Sequence, residues 1–532
     1  MTGATINRRD LLAIGAAGTV ARPLKVAAQT SGTASNEPGP YDLVIEGGRV
    51  LDPESGFDAV ANIGIIGGRI AAISDQPMDG AATLQATGQV VSPGFIDLHS
   101  HGMQLPGAWV QAFDGVTTAL ELESGLFPVG MAYERIAAEG RPINYGLGVA
   151  WTFARVMVFQ PEAGEPDGTL GWFQKAFGFS GWQNAIPVPE QLESIIDLMD
   201  SGLKEGGLCV SINAGYAPGM GRKEYYELSN LAKKHGVATF THDRYMSIVE
   251  PQSSFEALVE QIGLGAATGA HMHICHINSV AGRDLEAATR LVREAQENGV
   301  RVTVEAYPYG AFSTAVGADF MRGPEWLSHF GAEDYSAMEL RGQPLTKGKI
   351  EELQASAPGE IVIFHFLRED SVERDMELLD LAVLYPGGAI ASDAMPWMDA
   401  KGAIVEGNVW PLPGDSFAHP RTTGCFSRFL SKWVRERQAI SLTDALAKCT
   451  LIPARILEEA VPQMKSKGRL QIGCDADIVV FDPDTVEDKA TFVAPTQLSV
   501  GFRHVIVNGT PIIRDGTRLG GARPGQAIRR NV

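Results

Sequence analysis

The chain has 532 residues, 45% hydrophobic and 20% charged, an ordinary globular composition with ample apolar material for a large core and no sign of intrinsic disorder. Its formal charge of −19 argues against nucleic acid or an anionic membrane as partner, because both attract basic surfaces, and favours a small molecule. The five cysteines, Cys209, Cys275, Cys425, Cys449 and Cys474, are widely scattered with no Cys-x-x-Cys, which argues against a disulfide framework or a zinc ribbon and leaves them as small buried side chains.

At the N-terminus, Asn7-Arg8-Arg9-Asp10-Leu11-Leu12 precedes a weakly apolar stretch from Ala13 to Val20, and Val26-Ala27-Ala28 offers small residues suited to cleavage. The segment 1–28 resembles a twin-arginine export signal, which would deliver a folded protein to the periplasm or the exterior. Its apolar run is too short to cross a bilayer, and no later segment reaches the roughly eighteen uninterrupted apolar residues a span requires, so the mature protein is expected to be soluble. Residues 29–40, rich in Ser, Gly and Pro, read as a flexible linker.

Short β-runs punctuated by glycine pairs follow. Leu43 to Glu46 is expected to turn through Gly47-Gly48, and Ile63 to Ile66 through Gly67-Gly68. The same texture returns in Asp477 to Phe481 and in Val505-Ile506-Val507, which turns through Asn508-Gly509 into Pro511-Ile512-Ile513. Two β-rich ends flanking one long middle predict a small β-sandwich domain built from 41–92 plus 462–525. The middle, 93–461, alternates strand-like runs such as Leu208 to Ile212 with helix-period segments such as Lys223 to His235. Repeated β-then-α units predict a parallel sheet, and over this length an α/β (β/α)₈ TIM barrel; no Gly-x-Gly-x-x-Gly opens a helix to support a dinucleotide fold.

Four strand ends carry the chemistry. Phe95-Ile96-Asp97-Leu98-His99-Ser100-His101 ends an apolar run in His-x-His, and strand alternation sends both imidazoles to one side. Alone, such a pair does not distinguish half a metal site from two hydrogen-bonded histidines. Val237 to His242, His273-Ile274-Cys275-His276 and Gly388 to Asp393 likewise end in His, His and Asp, and a barrel gathers the carboxyl ends of its strands at one rim. Imidazoles and a carboxylate converging there suit zinc or a similar divalent ion.

This order, with SPGFIDLHSH at 92–101, GVTT at 115–118, SINAGYAPG at 211–219, THDR at 241–244, HICHINS at 273–279, SDAMPW at 392–397, HPRTTGCFSRFL at 419–430 and GRLQIGCDADIVVFDP at 468–483, resembles the amidohydrolase superfamily and within it the N-acyl-D-amino-acid deacylases. The resemblance implies His99, His101, His242 and His276 as ligands of one or two Zn²⁺ ions and Asp393 as the catalytic base, and it leaves His273 to packing or to support of a ligand. It departs from the family twice. Where a metal-contacting cysteine is expected after GVTT the chain has Ser124, so that Glu123 is the candidate bridging carboxylate and Glu121 the fallback, and the family's lysine after the sixth-strand histidine is Asn278.

Hydrolysis is the implied chemistry: zinc acidifies water and polarises the scissile carbonyl, while Asp393 takes the water proton and returns it to the departing amine. For an N-acylated amino acid, Arg421 is the candidate carboxylate clamp, with Tyr216 and Tyr307 as hydrogen-bonding walls. Met157 to Pro189, rich in Gly, Pro and aromatics, reads as a lid over the barrel mouth or a contact in a homo-oligomer. Two alternatives remain open. A cyclic amide hydrolase of the dihydroorotase or hydantoinase kind would typically carry a carboxylated lysine on the fourth strand, and Leu208 to Ala214 contains none; a catalytically silent scaffold would be free to lose ligands that are all present here.

Overall fold

The computed structural model describes residues 40–531 apart from Ser180 and Pro324, so the signal-like segment 1–28 and the linker up to Gly39 lie outside the described residues. The first strands are β1 (Leu43–Asp52), β2 (Phe57–Ile66) and β3 (Arg69–Ser74), paired antiparallel, then β4 (Thr83–Gln85) and β5 (Val90–Pro93), both parallel to β1. Gly67-Gly68 turns β2 into β3, but Gly47-Gly48 makes no turn. Strand β1 runs through both glycines with a register shift between Ile45 and Gly48, and the chain reverses at 53–56 instead. A Cβ on Gly48 would lie 2.3 Å from Val91 Cγ2, so this glycine serves the close approach of β5.

The barrel follows with β6 (Phe95–Asp97), β7 (Val116–Leu126), β8 (Asn144–Ala150), β9 (Val210–Asn213), β10 (Ala238–His242), β11 (His271–Ile274) and β12 (Val302–Ala306). The chain then leaves for a four-stranded antiparallel sheet of β13 (Ala311–Ala315), β14 (Met338–Leu340), β15 (Gln343–Pro344) and β16 (Ile361–His365), and re-enters as β17 (Ala389–Ile390). Each barrel strand pairs in parallel with the next, in the order β6 to β12 and then β17. The ring closes just beyond β6 and β17, where His101 N donates to Ala394 O at 2.7 Å across a parallel bridge between Ser100 and Ala394. Leu98, Leu122, Phe240, Cys275 and Ala391, in or beside five of these strands, pack into one buried cluster with Ile456 and Met464, so the barrel interior is core and not pore. Four of the cysteines are buried as expected and Cys474 is half-buried.

The C-terminal region supplies β18 (Ile478–Phe481), β19 (Phe502–Val507), β20 (Thr510–Arg514) and β21 (Thr517–Arg518), while β22 (Ala527–Ile528) pairs with β8 of the barrel. Strand β18 lies antiparallel to β5, from Ile478 opposite Pro93 to Phe481 opposite Val90, and so joins the two chain ends in one sheet ordered β21-β20-β19-β18-β5-β1-β2-β3. A small β-sandwich assembled from both ends therefore flanks the TIM barrel. Its own core includes Ile45, Ile63, Ile65, Val91, Ile478 and Ile506.

Asp477 ties sandwich to barrel. It is buried, and its carboxylate accepts from Lys467 Nζ at 2.6 Å, Asn508 N at 2.7 Å and Asn144 Nδ2, on barrel strand β8, at 2.9 Å. Removing one partner of a buried ion pair leaves the other charge uncompensated, so Asp477→Ala is expected to destabilise the protein by about 3–5 kcal/mol, read as a lowered thermal midpoint, with Asp477→Asn less damaging.

Candidate metal centre

The carboxyl ends of the barrel strands bring the polar groups together. His99 and His101 follow β6 with their Nε2 atoms 3.1 Å apart, both aimed at one point. The Nδ1 atom of His99 faces Glu305 Oε1 at 2.5 Å, and that of His101 faces Glu121 Oε2 at 2.8 Å. A carboxylate behind each imidazole fixes its orientation and leaves Nε2 for a ligand. His242 ends β10, and His276 lies just beyond β11 with a positive φ of 29°. A Cβ on Gly215 would fall 2.5 Å from His242 Cδ2, so only glycine lets the chain after β9 pack against that ring.

Glu123 lies among all four histidines. Its Oε1 is 2.9 Å from His242 Nδ1 and 3.6 Å from His276 Nε2, while its Oε2 is 3.7 Å from His99 Nε2 and 3.6 Å from His101 Nε2. Irregular pairing of β7 aims it: Glu121 pairs with Leu147 and Leu126 with Val149, so five residues of β7 advance against two of β8. Ser211 Oγ donates to the Leu122 carbonyl in this bulge at 2.7 Å, and Asn213 Nδ2 holds Glu123 Oε2 at 2.6 Å.

Asp393 follows β17 with φ at 50°, a left-handed conformation for a non-glycine residue. Its Oδ1 is 3.5 Å from His99 Nε2 and 3.4 Å from His101 Nε2, and its Oδ2 is paired with Arg421 Nη2 at 2.7 Å. Buried Asp97 links the two halves: it accepts from His99 N at 3.2 Å, Ser392 N at 2.9 Å and Gln111 Nε2 at 2.8 Å.

The electrostatics fit a cation. Burial opposes a charged His99, yet Asp393, Glu305 and Glu123 raise its pKa to about 9. Burial likewise opposes the charge of His101, but Glu121, Asp393 and Glu123 raise it well above the ordinary imidazole value. Glu123 is held far below the usual carboxylate range, despite burial, by His242, His276 and His99. Burial alone would neutralise these carboxylates; instead they call for positive charge. Ligand atoms of His99, His101 and Glu123 lie within 4.8 Å of one another, as do those of Glu123, His242 and His276, giving two nitrogen-and-oxygen sets that share one carboxylate. This donor set fits two divalent ions of the zinc class.

Of the residues assigned to substrate, Tyr216 lines the cavity above the histidines, whereas Arg421 and Tyr307 are fully buried outside its lining. Arg421 donates through Nε to the Asp393 carbonyl at 2.7 Å and through Nη2 to Asp393 and Ser313, and its guanidinium lies 4.5 Å from the Tyr307 ring. Among the described residues Arg421 Nη1 has no hydrogen-bond partner. Glu121 supports His101 rather than facing the other histidines. His273 bonds Glu305 at 3.1 Å and Thr303 at 2.8 Å, as a support of the site. Asn278 is tied to the carbonyls of Tyr307 and Tyr309. Leu170, Phe173 and Phe177 of the Met157 to Pro189 region wall the cavity.

Sequence reasoning missed Glu305, Asn213 and Asp97. All three were visible as buried-type strand positions bearing a polar side chain, Glu305 most clearly in Val302-Thr303-Val304-Glu305, where an acid ends an apolar run as Asp393 does.

The profile of the amidohydrolase family matches residues 188–513. An N-acyl-D-glutamate deacylase of Alcaligenes xylosoxydans xylosoxydans is 29% identical over 515 residues, covering 92% of this chain and 97% of the relative. A D-aminoacylase of the same organism is 27% identical over 501 residues, covering 89% and 94%. In fold, the chain is similar to the N-acyl-D-glutamate deacylase of Bordetella bronchiseptica, solved with zinc and a phosphonate inhibitor, with a TM-score of 0.71, 24% identity, and coverage of 92% of this chain and all of that one.

Glu305 fixes the tautomer and orientation of His99 without reaching the ligand point itself. Glu305→Gln is expected to weaken metal binding by about 10- to 100-fold with the fold retained, measured by competitive chelator titration beside a circular dichroism spectrum.

Proposed function

The chain belongs to the amidohydrolase family, and from that premise we propose that it hydrolyses a linear amide, releasing the acyl group of an N-acyl-D-amino acid as a carboxylate. The observation that carries this reading is Asp393 Oδ1, placed 3.5 and 3.4 Å from the paired Nε2 atoms of His99 and His101, while Arg421 holds the other oxygen. His99, His101, His242 and His276 would hold zinc, with Glu123 between the pairs. Bound there, zinc acidifies water and polarises the amide carbonyl.

The protein's own groups do the rest. Arg421 and the histidines keep Asp393 ionised against burial, well below the usual carboxylate range, so Oδ1 is free to accept a proton from water. The same oxygen then gives the proton to the leaving amine nitrogen, and loss of the amine completes the hydrolysis. Arg421, buried behind the cavity wall with its Nη1 unpartnered among the described residues, is the cation that would compensate a substrate carboxylate bound on the Asp393 side. The D-configuration rests on the names of the relatives. The twin-arginine-like segment supports export as a folded enzyme.

A cyclic amide hydrolase relying on a carboxylated lysine of the fourth strand is disfavoured by β9, which presents Asn213 to Glu123 where such a lysine would be sought. A silent scaffold is disfavoured by the completeness of the histidine, glutamate and aspartate set.

Asp393→Asn is expected to retain metal and fold while losing about 10²- to 10⁴-fold in amide hydrolysis, the range for a positioned acid–base group. Zinc-loaded protein assayed against matched N-acyl-D- and N-acyl-L-amino acids should turn over the D series; unchanged hydrolysis by the variant would rule out this mechanism, and preference for cyclic amides would redirect the substrate.

A further inference from the structure

The cavity above the histidines opens to solvent, and apolar side chains dominate its walls. Among its described lining residues there is no lysine or arginine; the acidic groups are Glu123 and Asp393, at the histidine end. On the side away from Asp393 and Arg421, an acidic substituent of the acyl group would meet no lysine or arginine in the wall, and its desolvation would go uncompensated.

The apolar lining has an internal organisation. Tyr216, Phe177, Phe320 and His242 form one set of packed rings, with Tyr216 centred 4.9 Å from His242, 5.7 Å from Phe177 and 5.6 Å from Phe320. Phe320 also stacks on His242 at 6.1 Å, and Met246 Sδ approaches His242 Nε2 at 3.2 Å. The Tyr216 hydroxyl is hydrogen-bonded to Thr314 Oγ1 at 3.1 Å, so its polar end is satisfied and its ring serves as wall.

Direction follows from the proton transfer. Asp393 must reach the leaving nitrogen, so the amine portion of the substrate lies on the Asp393 side. The acyl portion, beyond the carbonyl carbon, then points the other way, toward His242 and the rings around it. We infer that this aromatic wall is an acyl-binding subsite, and that the preferred acyl group is a bulky uncharged one, aryl or medium-chain alkyl, in place of acetyl or a dicarboxylic acyl group. This inference rests on the deacylase reading and adds the class of acyl group to it. An acetyl group would leave the rings facing water, whereas a phenyl or hexyl group buries apolar area against them and gains in proportion to that area.

The test uses zinc-loaded protein and N-acetyl, N-hexanoyl, N-phenylacetyl and N-succinyl derivatives of a single D-amino acid. Expected is a kcat/KM for the phenylacetyl or hexanoyl substrate about 10- to 100-fold above that for acetyl, with succinyl lowest. Phe320→Ala and the milder Phe320→Leu should narrow the phenylacetyl-to-acetyl ratio in that order. Equal or greater kcat/KM for acetyl or succinyl overturns the subsite. If no N-acyl-amino acid is hydrolysed, the deacylase reading fails, and the subsite is judged by binding: phenylacetate should raise the melting temperature of the zinc-loaded protein more than acetate or succinate does, an excess lost in Phe320→Ala. Equal shifts for phenylacetate and acetate overturn it on that ground as well.

Discussion

One buried carboxylate, Glu123, surrounded by four imidazoles, is the interaction on which the site depends. A charge in that position, 2% exposed, is stable only if every neighbour compensates it. The compensation extends outward in layers. His99 and His101 face Glu123 with Nε2, and their Nδ1 atoms rest on Glu305 and Glu121, which in turn are held by His273 and by the amides of Ser124 and Gly125. Each negative group is thus followed by a donor, and the alternation runs from the cavity into the barrel wall. Four histidines alone would leave the central positive charge without its anion; four carboxylates would not stay ionised.

The fold makes this arrangement possible by closing the parallel sheet on itself. Residues 99 and 393 are nearly three hundred positions apart, yet the ring closes between Ser100 and Ala394, so Asp97 can bind His99 N and Ser392 N together. Local cost is concentrated at the same rim. His276 and Asp393 adopt positive φ, and β7 gives up regular pairing where Glu123 turns inward. Strain of this kind persists where surrounding contacts over-determine it, as Arg421 does at Asp393 and the Ser211 and Asn213 hydrogen bonds do at the β7 bulge.

Much of this was legible in the sequence because the relevant signals are local. His-x-His after an apolar run, a histidine or aspartate closing three later strands, and Asn508-Gly509 between β-branched runs each state their role within about ten residues. Glu305 was visible as an acid at a strand end, but its role was not legible, because its partner His99 lies two hundred residues away. Arg421 was legible as a functional cation but not as the counter-ion of Asp393, since the choice between substrate and side chain depends on burial. Gly47-Gly48 misled for a related reason: a glycine pair signals a turn or a close approach equally well, and the approaching residue, Val91, belongs to another strand.

Glutamate and serine at 123–124, where the resembling family carries a cysteine, change what the centre of the site offers. A thiolate presents one soft sulfur, whereas the Glu123 carboxylate presents two hard oxygens, and the structure turns one toward each pair of histidines. That division needs the carboxylate plane fixed, and Asn213 Nδ2 and Ser124 Oγ, both on Oε2, fix it. Ser124 therefore does not stand in for the missing sulfur as a ligand. It acts on the residue beside it, orienting the Glu123 carboxylate between the two pairs of histidines, so residues 123 and 124 work as one coupled unit.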